Sequence, residues 1–291
     1  MYKLIAIDLD GTMLNSYGIV TENTKSVLNR AMEKGIEIVI ATGRPIDSTK
    51  TIAKEIGTEN YFISGNGALI YDVKKDEIIY EKFLSKEKTL EIIKICEENN
   101  ISYSVYTEKI IIAKALKFNV LYYSKENQKK EIDKQTNITL VNDVEKYIVD
   151  MEDEKILKLT ICDEDKSVFN SIIRRLRDIK DIEVLDVAHM SRKTIKQGTE
   201  EFLIQYYYTE ISLAGVDKWN TIEYLIGKLG IEKEEVVTIG DNINDKTMIE
   251  NAGLGIAMGQ STPVIKEVAD VITDDNDNEG VANVIEQRIL Q

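Results

Sequence analysis

Residues 4–12 read LIAIDLDGT: four apolar residues run straight into Asp8 and Asp10, with Leu9 between them and Gly11-Thr12 behind. A short apolar run that stops at turn-forming residues is the pattern of a strand buried on both faces, as in a parallel sheet. Helix-like and strand-like segments then alternate along the chain. Thr21 is placed to cap a helix whose apolar face is Val27, Leu28, Ala31 and Met32, stopped by Gly35. Residues 36–41, IEIVIA, read as the next strand. Pro45 suits a first helical turn, residues 46–56 read as a second helix ending at Gly57, and 61–63 as a third strand. Strand–helix–strand repeats of this kind predict an α/β fold, a parallel sheet covered on both faces.

The rhythm returns near the C-terminus. A helix follows Asp217 and reaches Leu229, then a strand at 236–239, a helix at 246–251, strands at 255–258 and 270–272, and a helix at 281–290. Between the two halves the pattern changes to a hairpin (68–71 with 78–80), a helix (86–99), paired strands (102–106 and 110–113), then a strand, a helix and a strand over 156–187. An α+β module is therefore expected inside the α/β one. The expected boundaries near Phe83 and Glu210 give a core of residues 1–83 and 211–291 and an insert of 84–210.

The 291 residues carry 37 Lys and Arg against 51 Asp and Glu, a net charge of −14, which repels nucleic acid and anionic membrane surfaces. No stretch approaches the roughly 18 apolar residues that span a bilayer. Cys96 and Cys162 have no metal or redox spacing and read as buried thiols of a cytoplasmic protein. An anionic substrate then needs a local positive site.

In an open parallel sheet, ligands bind outside the carboxyl ends of the strands. Three predicted strands end in polar residues: Asp8-Leu9-Asp10, Thr42-Gly43-Arg44 and Gly240-Asp241. Asp8, Asp10 and Asp241 gathered in one crevice repel one another unless a cation is present, and an oxygen-only set with room for water describes Mg²⁺. Asp8 can then act as a nucleophile on phosphorus, and Asp10 as the acid that protonates the leaving oxygen and the base that deprotonates water. Thr42 and the following amide can hold a phosphate oxygen, Lys218 offers a positive charge, and Asn244 sits at a predicted helix start. Each piece alone has an ordinary reading. Asp-x-Asp-Gly is a common turn, Thr-Gly-Arg is loop chemistry, Lys218 is a solvated lysine, and Asp241–Asp245 is a loop and helix cap. Their order, each at the end of a strand or the start of a helix, favours the chemical reading.

DLDGTMLN (8–15), ATGRP (41–45), GVDK (215–218) and GDNINDKTMIENAGLGIAMG (240–259) resemble the four motifs of the haloacid dehalogenase superfamily of phosphohydrolases. SGNGALI (64–70) and DNDNEGVANVIEQ (275–287) are similar to stretches of its Cof-type branch. The resemblance implies a Rossmann-like, doubly wound parallel sheet core with an inserted α+β cap, Asp8 as nucleophile, Asp10 as acid/base, and Mg²⁺ on Asp8, the Asp10 carbonyl and Asp241. It implies phosphate contacts from Leu9, Thr42, Gly43, Lys218 and Asn244, with Arg44, Asn66 and Asp245 close by. It also implies that the insert is a cap selecting the leaving group. The expected activity is a Mg²⁺-dependent phosphatase of small phosphorylated metabolites, sugar phosphates first.

Some residues depart from the branch. Trp219 follows the lysine where glycine is usual, and Gln260-Ser261 stands where Asn-Ala is common. The run Tyr206-Tyr207-Tyr208 reads as sheet packing before it reads as a substrate platform. His189, the only histidine, reads as an exposed residue of the insert, and Arg192 and Lys193 as a solvated face with an anionic substrate tail as the alternative. A phosphoryl-accepting receiver domain would share the aspartate, threonine and lysine but need neither Asp10 nor an insert. A metal-free dehalogenase would lack the second aspartate. A phosphomutase of the superfamily and a non-catalytic phosphometabolite-binding regulator stay open.

Overall fold

The computed structural model describes residues 2–128, 135–152, 155–185, 191–197 and 200–291. They form two compact units, Met1–Glu81 with Val216–Gln291, and Lys82–Gly215. No helix among the described residues is long and apolar enough to cross a membrane.

The first unit begins with β1 (Leu4–Ile7), α1 (Glu22–Glu33), β2 (Glu37–Ala41), α2 (Ile46–Ile56), β3 (Tyr61–Ser64), β4 (Leu69–Asp72) and β5 (Glu77–Glu81). The second unit supplies α3 (Lys86–Glu98), β6 (Ser102–Thr107), β7 (Ile111–Ala113), α4 (Phe118–Asn127), β8 (Ile138–Leu140), α5 (Val144–Asp150) and β9 (Ile156–Asp163). It continues with α6 (Lys166–Arg177), β10 (Ile182–Val184), β11 (Ser191–Gln197) and β12 (Glu200–Leu213). The chain then returns to the first unit with α7 (Lys218–Leu229), β13 (Val236–Gly240), α8 (Lys246–Asn251), β14 (Leu254–Ala257), α9 (Pro263–Lys266), β15 (Val271–Ile272) and α10 (Gly280–Arg288).

The sheet of the first unit has the order β15-β14-β13-β1-β2-β3-β4-β5. β1 lies between β2 and β13, parallel to both, with Leu4 opposite Glu37 and Val236. All four β1 side chains are buried, as the unbroken apolar run predicted. Trp219, Ile222 and Leu225 of α7 pack with Leu4, Ala6 and Val39, which gives Trp219 a core role. Each large apolar side chain buried this way contributes about 1.5–3 kcal/mol. The expected all-parallel sheet is extended by an antiparallel edge. The hairpin β4–β5 continues the core sheet from β3, because a tight turn of the chain can only reverse its direction.

The sheet of the second unit runs β10-β12-β9-β6-β7-β8, with β11 paired on β12. Ile92, Ile93, Leu159, Ile161, Phe169 and Ile172 meet in its core, which places α3 and α6 on one face. β12 runs on to Leu213, with Ile211 paired to Leu159, so the chain leaves this unit after Gly215 and not at Glu210. Tyr206 is buried with its ring 5.1 Å from Phe118, and Tyr207 packs 5.9 Å from Phe169, so both serve sheet packing. His189 lies outside the described residues; Arg192 and Lys193 stand on β11, paired with Gln205 and Ile204.

Candidate active site

The carboxyl ends of β1, β2 and β13 lie side by side, so the segments that follow them converge. Asp8 leaves β1 with its amide donating to the Ile239 carbonyl of β13 at 3.0 Å, and its side chain is only 7% exposed. The tight turn behind it is closed by Thr12 and Leu14 amides donating to the Leu9 carbonyl at 3.2 and 2.9 Å. Gly11 sits in this turn at φ +83°, and a Cβ there would lie 2.5 Å from Asp241 Oδ2. Glycine is what lets the two segments touch.

Lys218, at the start of α7, is fully buried. Its Nζ donates to Asp8 Oδ1 at 2.6 Å and to Asp245 Oδ1 at 2.5 Å. The other oxygen of Asp245 accepts the Asp241 and Asn242 amides, each at 3.0 Å, which fixes the loop after β13. Thr12 Oγ1 donates to Asp241 Oδ1 at 3.1 Å. Asp8, Asp241 and Asp245 thus bring carboxylate oxygens within 4.8 Å of one another.

The charges register that crowding. Burial, then the Asp245 and Asp241 charges, push the Asp8 carboxyl well above the usual carboxylate range against the pull of Lys218. Burial and Asp245 push Asp241 up to about 7, against the hydrogen bond from Thr12. Burial alone would lower the Lys218 ammonium, but Asp245 and Asp8 outweigh it and hold it above its ordinary value. Three crowded carboxylates with one ammonium leave negative charge to spare. The donor set is oxygen only, which fits a hard cation such as Mg²⁺.

The third carboxylate of this cluster is Asp245, where the sequence pattern put the Asp10 side chain. Asp10 turns away because Arg44 takes both its oxygens: Nε donates to Oδ2 at 2.7 Å and Nη2 to Oδ1 at 2.6 Å. Two residues past Asp8 and beyond the strand, its side chain is 61% exposed. Thr42, buried at the end of β2, accepts the Arg44 amide on Oγ1 at 3.2 Å. The β3–β4 turn is knitted onto this loop. The Asn66 amide donates to the Thr42 carbonyl at 2.9 Å, and the Gly65 amide to the Arg44 carbonyl at 3.1 Å. Asn244 Nδ2 donates to Asn66 Oδ1 at 3.0 Å from a short 3₁₀ turn, Ile243–Asp245, ahead of the six-residue α8. Its side chain rather than a long helix end is what Asn244 offers. Gly43 faces Asn66, where a Cβ would approach Oδ1 to 2.7 Å.

All of these residues therefore lie in the first unit, with Asp8, Lys218, Asp241 and Asp245 in one bonded cluster and Asn66 bridging Thr42 to Asn244. The sequence reading passed over Thr12, whose position directly after Asp-x-Asp-Gly was the available signal. It also gave Gln260 no part, though its Nε2 donates to the Gly11 carbonyl.

Residues 5–285 match the family model described as haloacid dehalogenase-like hydrolase. The chain is similar to the Bacillus subtilis 5-amino-6-(5-phospho-D-ribitylamino)uracil phosphatase YcsE, 27% identical over 99% of this chain and 96% of that one. It is similar to phosphatase YwpJ of the same organism, 28% identical over 97% and 98%. A solved haloacid dehalogenase-like hydrolase from B. subtilis superposes with a TM-score of 0.81, at 26% identity over 99% and 100% of the two chains. With the strand-end aspartates, the buried lysine and a match over nearly its whole length, the chain belongs to the haloacid dehalogenase-like hydrolases, as a phosphatase of that family.

Proposed function

We propose that this phosphatase is a Mg²⁺-dependent, cytoplasmic phosphomonoesterase of small phosphorylated metabolites, sugar phosphates foremost, working through an aspartyl-phosphate on Asp8. The observation that carries the reading is the buried Lys218 bridging Asp8 and Asp245 at 2.6 and 2.5 Å. It orients one Asp8 oxygen and keeps the other for phosphorus.

In the first step an Asp8 oxygen attacks phosphorus and the bond to the leaving oxygen breaks, with Asp10 giving that oxygen its proton. In the second, Asp10 takes a proton from water as the water oxygen attacks phosphorus, and the Asp8–phosphate bond breaks to release inorganic phosphate. Thr42, Gly43, Lys218, Asn244 and the Leu9 backbone hold the phosphoryl oxygens, with Asn66 fixing Asn244. Asp8, Asp241 and the Asp10 carbonyl, backed by Asp245, would hold Mg²⁺, which supplies positive charge against the phosphoryl oxygens. The second unit acts as the cap that selects the leaving group, since the chemistry needs none of its side chains. Sugar phosphates are favoured because YcsE is named for an ester on a ribityl chain.

Phosphate release from a panel of sugar phosphates, with Mg²⁺ and with chelator, tests the class. Asp8→Asn tests the nucleophile: turnover should vanish, circular dichroism should stay unchanged, and label from ³²P-substrate should no longer be trapped on the protein. Full turnover in excess chelator, or near-normal activity of Asp8→Asn, would overturn the mechanism.

A further inference from the structure

We propose that Arg44 exchanges partners during turnover: its guanidinium holds Asp10 in the substrate-free protein and passes to the phosphate of the bound ester, releasing Asp10 for proton transfer. The inference rests on the reading of Asp10 as acid and base. Both Asp10 oxygens accept from Arg44, at 2.7 and 2.6 Å, so the carboxyl group is held in a fork that leaves no place for a proton on either oxygen along the bonded directions. The fork takes one lone pair on each oxygen and fixes the carboxylate toward Arg44, so drawing it off frees Asp10 to turn toward the leaving oxygen and the attacking water.

The local structure offers the alternative partner. Arg44 belongs to the same loop as Thr42 and Gly43, and its amide donates to Thr42 Oγ1 at 3.2 Å. Nη1 donates to Ser48 Oγ at 3.3 Å in the first turn of α2, which keeps the guanidinium beside that loop when it lets go of Asp10. The planar fork that fits a carboxylate fits two oxygens of a phosphate equally well. The Asp10 side chain is 61% exposed against 27% for Arg44, so water screens the pair from the Asp10 side. A phosphate dianion brings two charges against the one on Asp10. The exchange thus couples occupancy of the site to release of its acid.

A binding cycle tests this without turnover. Inorganic phosphate is titrated calorimetrically, in saturating Mg²⁺, into wild type, Asp10→Asn, Arg44→Gln and the double variant, each checked for native circular dichroism. Removing the Asp10 charge tightens phosphate in any background. If Arg44 must leave Asp10 to reach phosphate, the tightening is larger with Arg44 present, by about 2- to 6-fold, the weight of an exposed ion pair. Equal tightening with and without Arg44 overturns the exchange and leaves Arg44 a fixed holder of Asp10. If Arg44→Gln fails to fold, Arg44→Lys replaces it, a point charge without the fork, and the same excess should fall. Phosphate release from an aryl phosphate by wild type is measured alongside. Its absence overturns the phosphatase mechanism, whereas an active enzyme with no excess in the cycle overturns the exchange alone.

Discussion

Replacing Lys218 by methionine leaves the Asp8 and Asp245 carboxylates facing one another in a buried site without the ammonium that joins them. Breaking a buried ion pair from one side costs about 3–5 kcal/mol, because the stranded charge cannot return to water. Urea unfolding of Lys218→Met in chelator should show a loss of that size, together with loss of turnover. Mg²⁺ should restore part of the stability in wild type and variant alike, by about 2.7 kcal/mol at a hundredfold excess over its Kd. An unfolding midpoint that ignores Mg²⁺ in both proteins would remove the metal from this cluster. At this scale the sequence made Asp8, Asp241 and Lys218 visible through their places beside strands and helices. It hid the Asp10–Arg44 pair and the role of Asp245, since these depend on where side chains from different segments point and leave no periodic trace.

Among the elements, the turn from β3 to β4 carries a sharper constraint than its length suggests. Gly65, Asn66 and Gly67 all adopt positive φ, at +63°, +59° and +100°. At Gly67 a Cβ would lie 2.2 Å from the Asp217 carbonyl, the N-cap of α7, and the Thr221 hydroxyl donates to the Gly67 carbonyl at 2.7 Å. Gly67→Ala should therefore destabilise by about 1–3 kcal/mol through strain and overpacking. It should also lower turnover, because it pushes on the segment that presents Lys218. A variant as stable and as active as wild type would show that the contact yields freely. Elements with strong signals were legible: α1 begins where Thr21 accepts the Thr24 amide, and α7 where Asp217 accepts the Asn220 amide. α4 and α5 were not. α4 is entered through Phe118 at φ +48° with only a weak apolar face, and α5 is a seven-residue helix whose signal is little more than its Asp143 cap.

For the molecule as a whole, the carboxylate cluster with Lys218 lies in one compact unit and the insert is the other. Joining Glu81 to Val216 through a short flexible linker should leave a core that binds Mg²⁺ and hydrolyses a small aryl phosphate. Hydrolysis of sugar phosphates should collapse, since the insert proposed to select the leaving group is gone. The core's fold is checked first by circular dichroism. A folded, Mg²⁺-binding core inactive on every ester would place a needed group within 82–215. The two-part plan was legible because a helical and strand rhythm stops and resumes along the chain. The hairpin 68–71 with 78–80 was legible too, but not its attachment to the core sheet through β3, nor the exit after Gly215, which follows from β12 pairing with β9 far back along the chain. Long-range pairing also sets a timetable during synthesis. β1 acquires β2 early, but its other edge waits for Val236–Ile239, more than two hundred residues downstream. At the ribosome's pace this is a delay of roughly ten to fifty seconds. Lys82–Gly215 is contiguous and emerges complete before then. The nascent chain therefore carries a finished inner domain beside an open apolar strand, and the interval before β13 arrives is when chaperone binding or aggregation should be greatest.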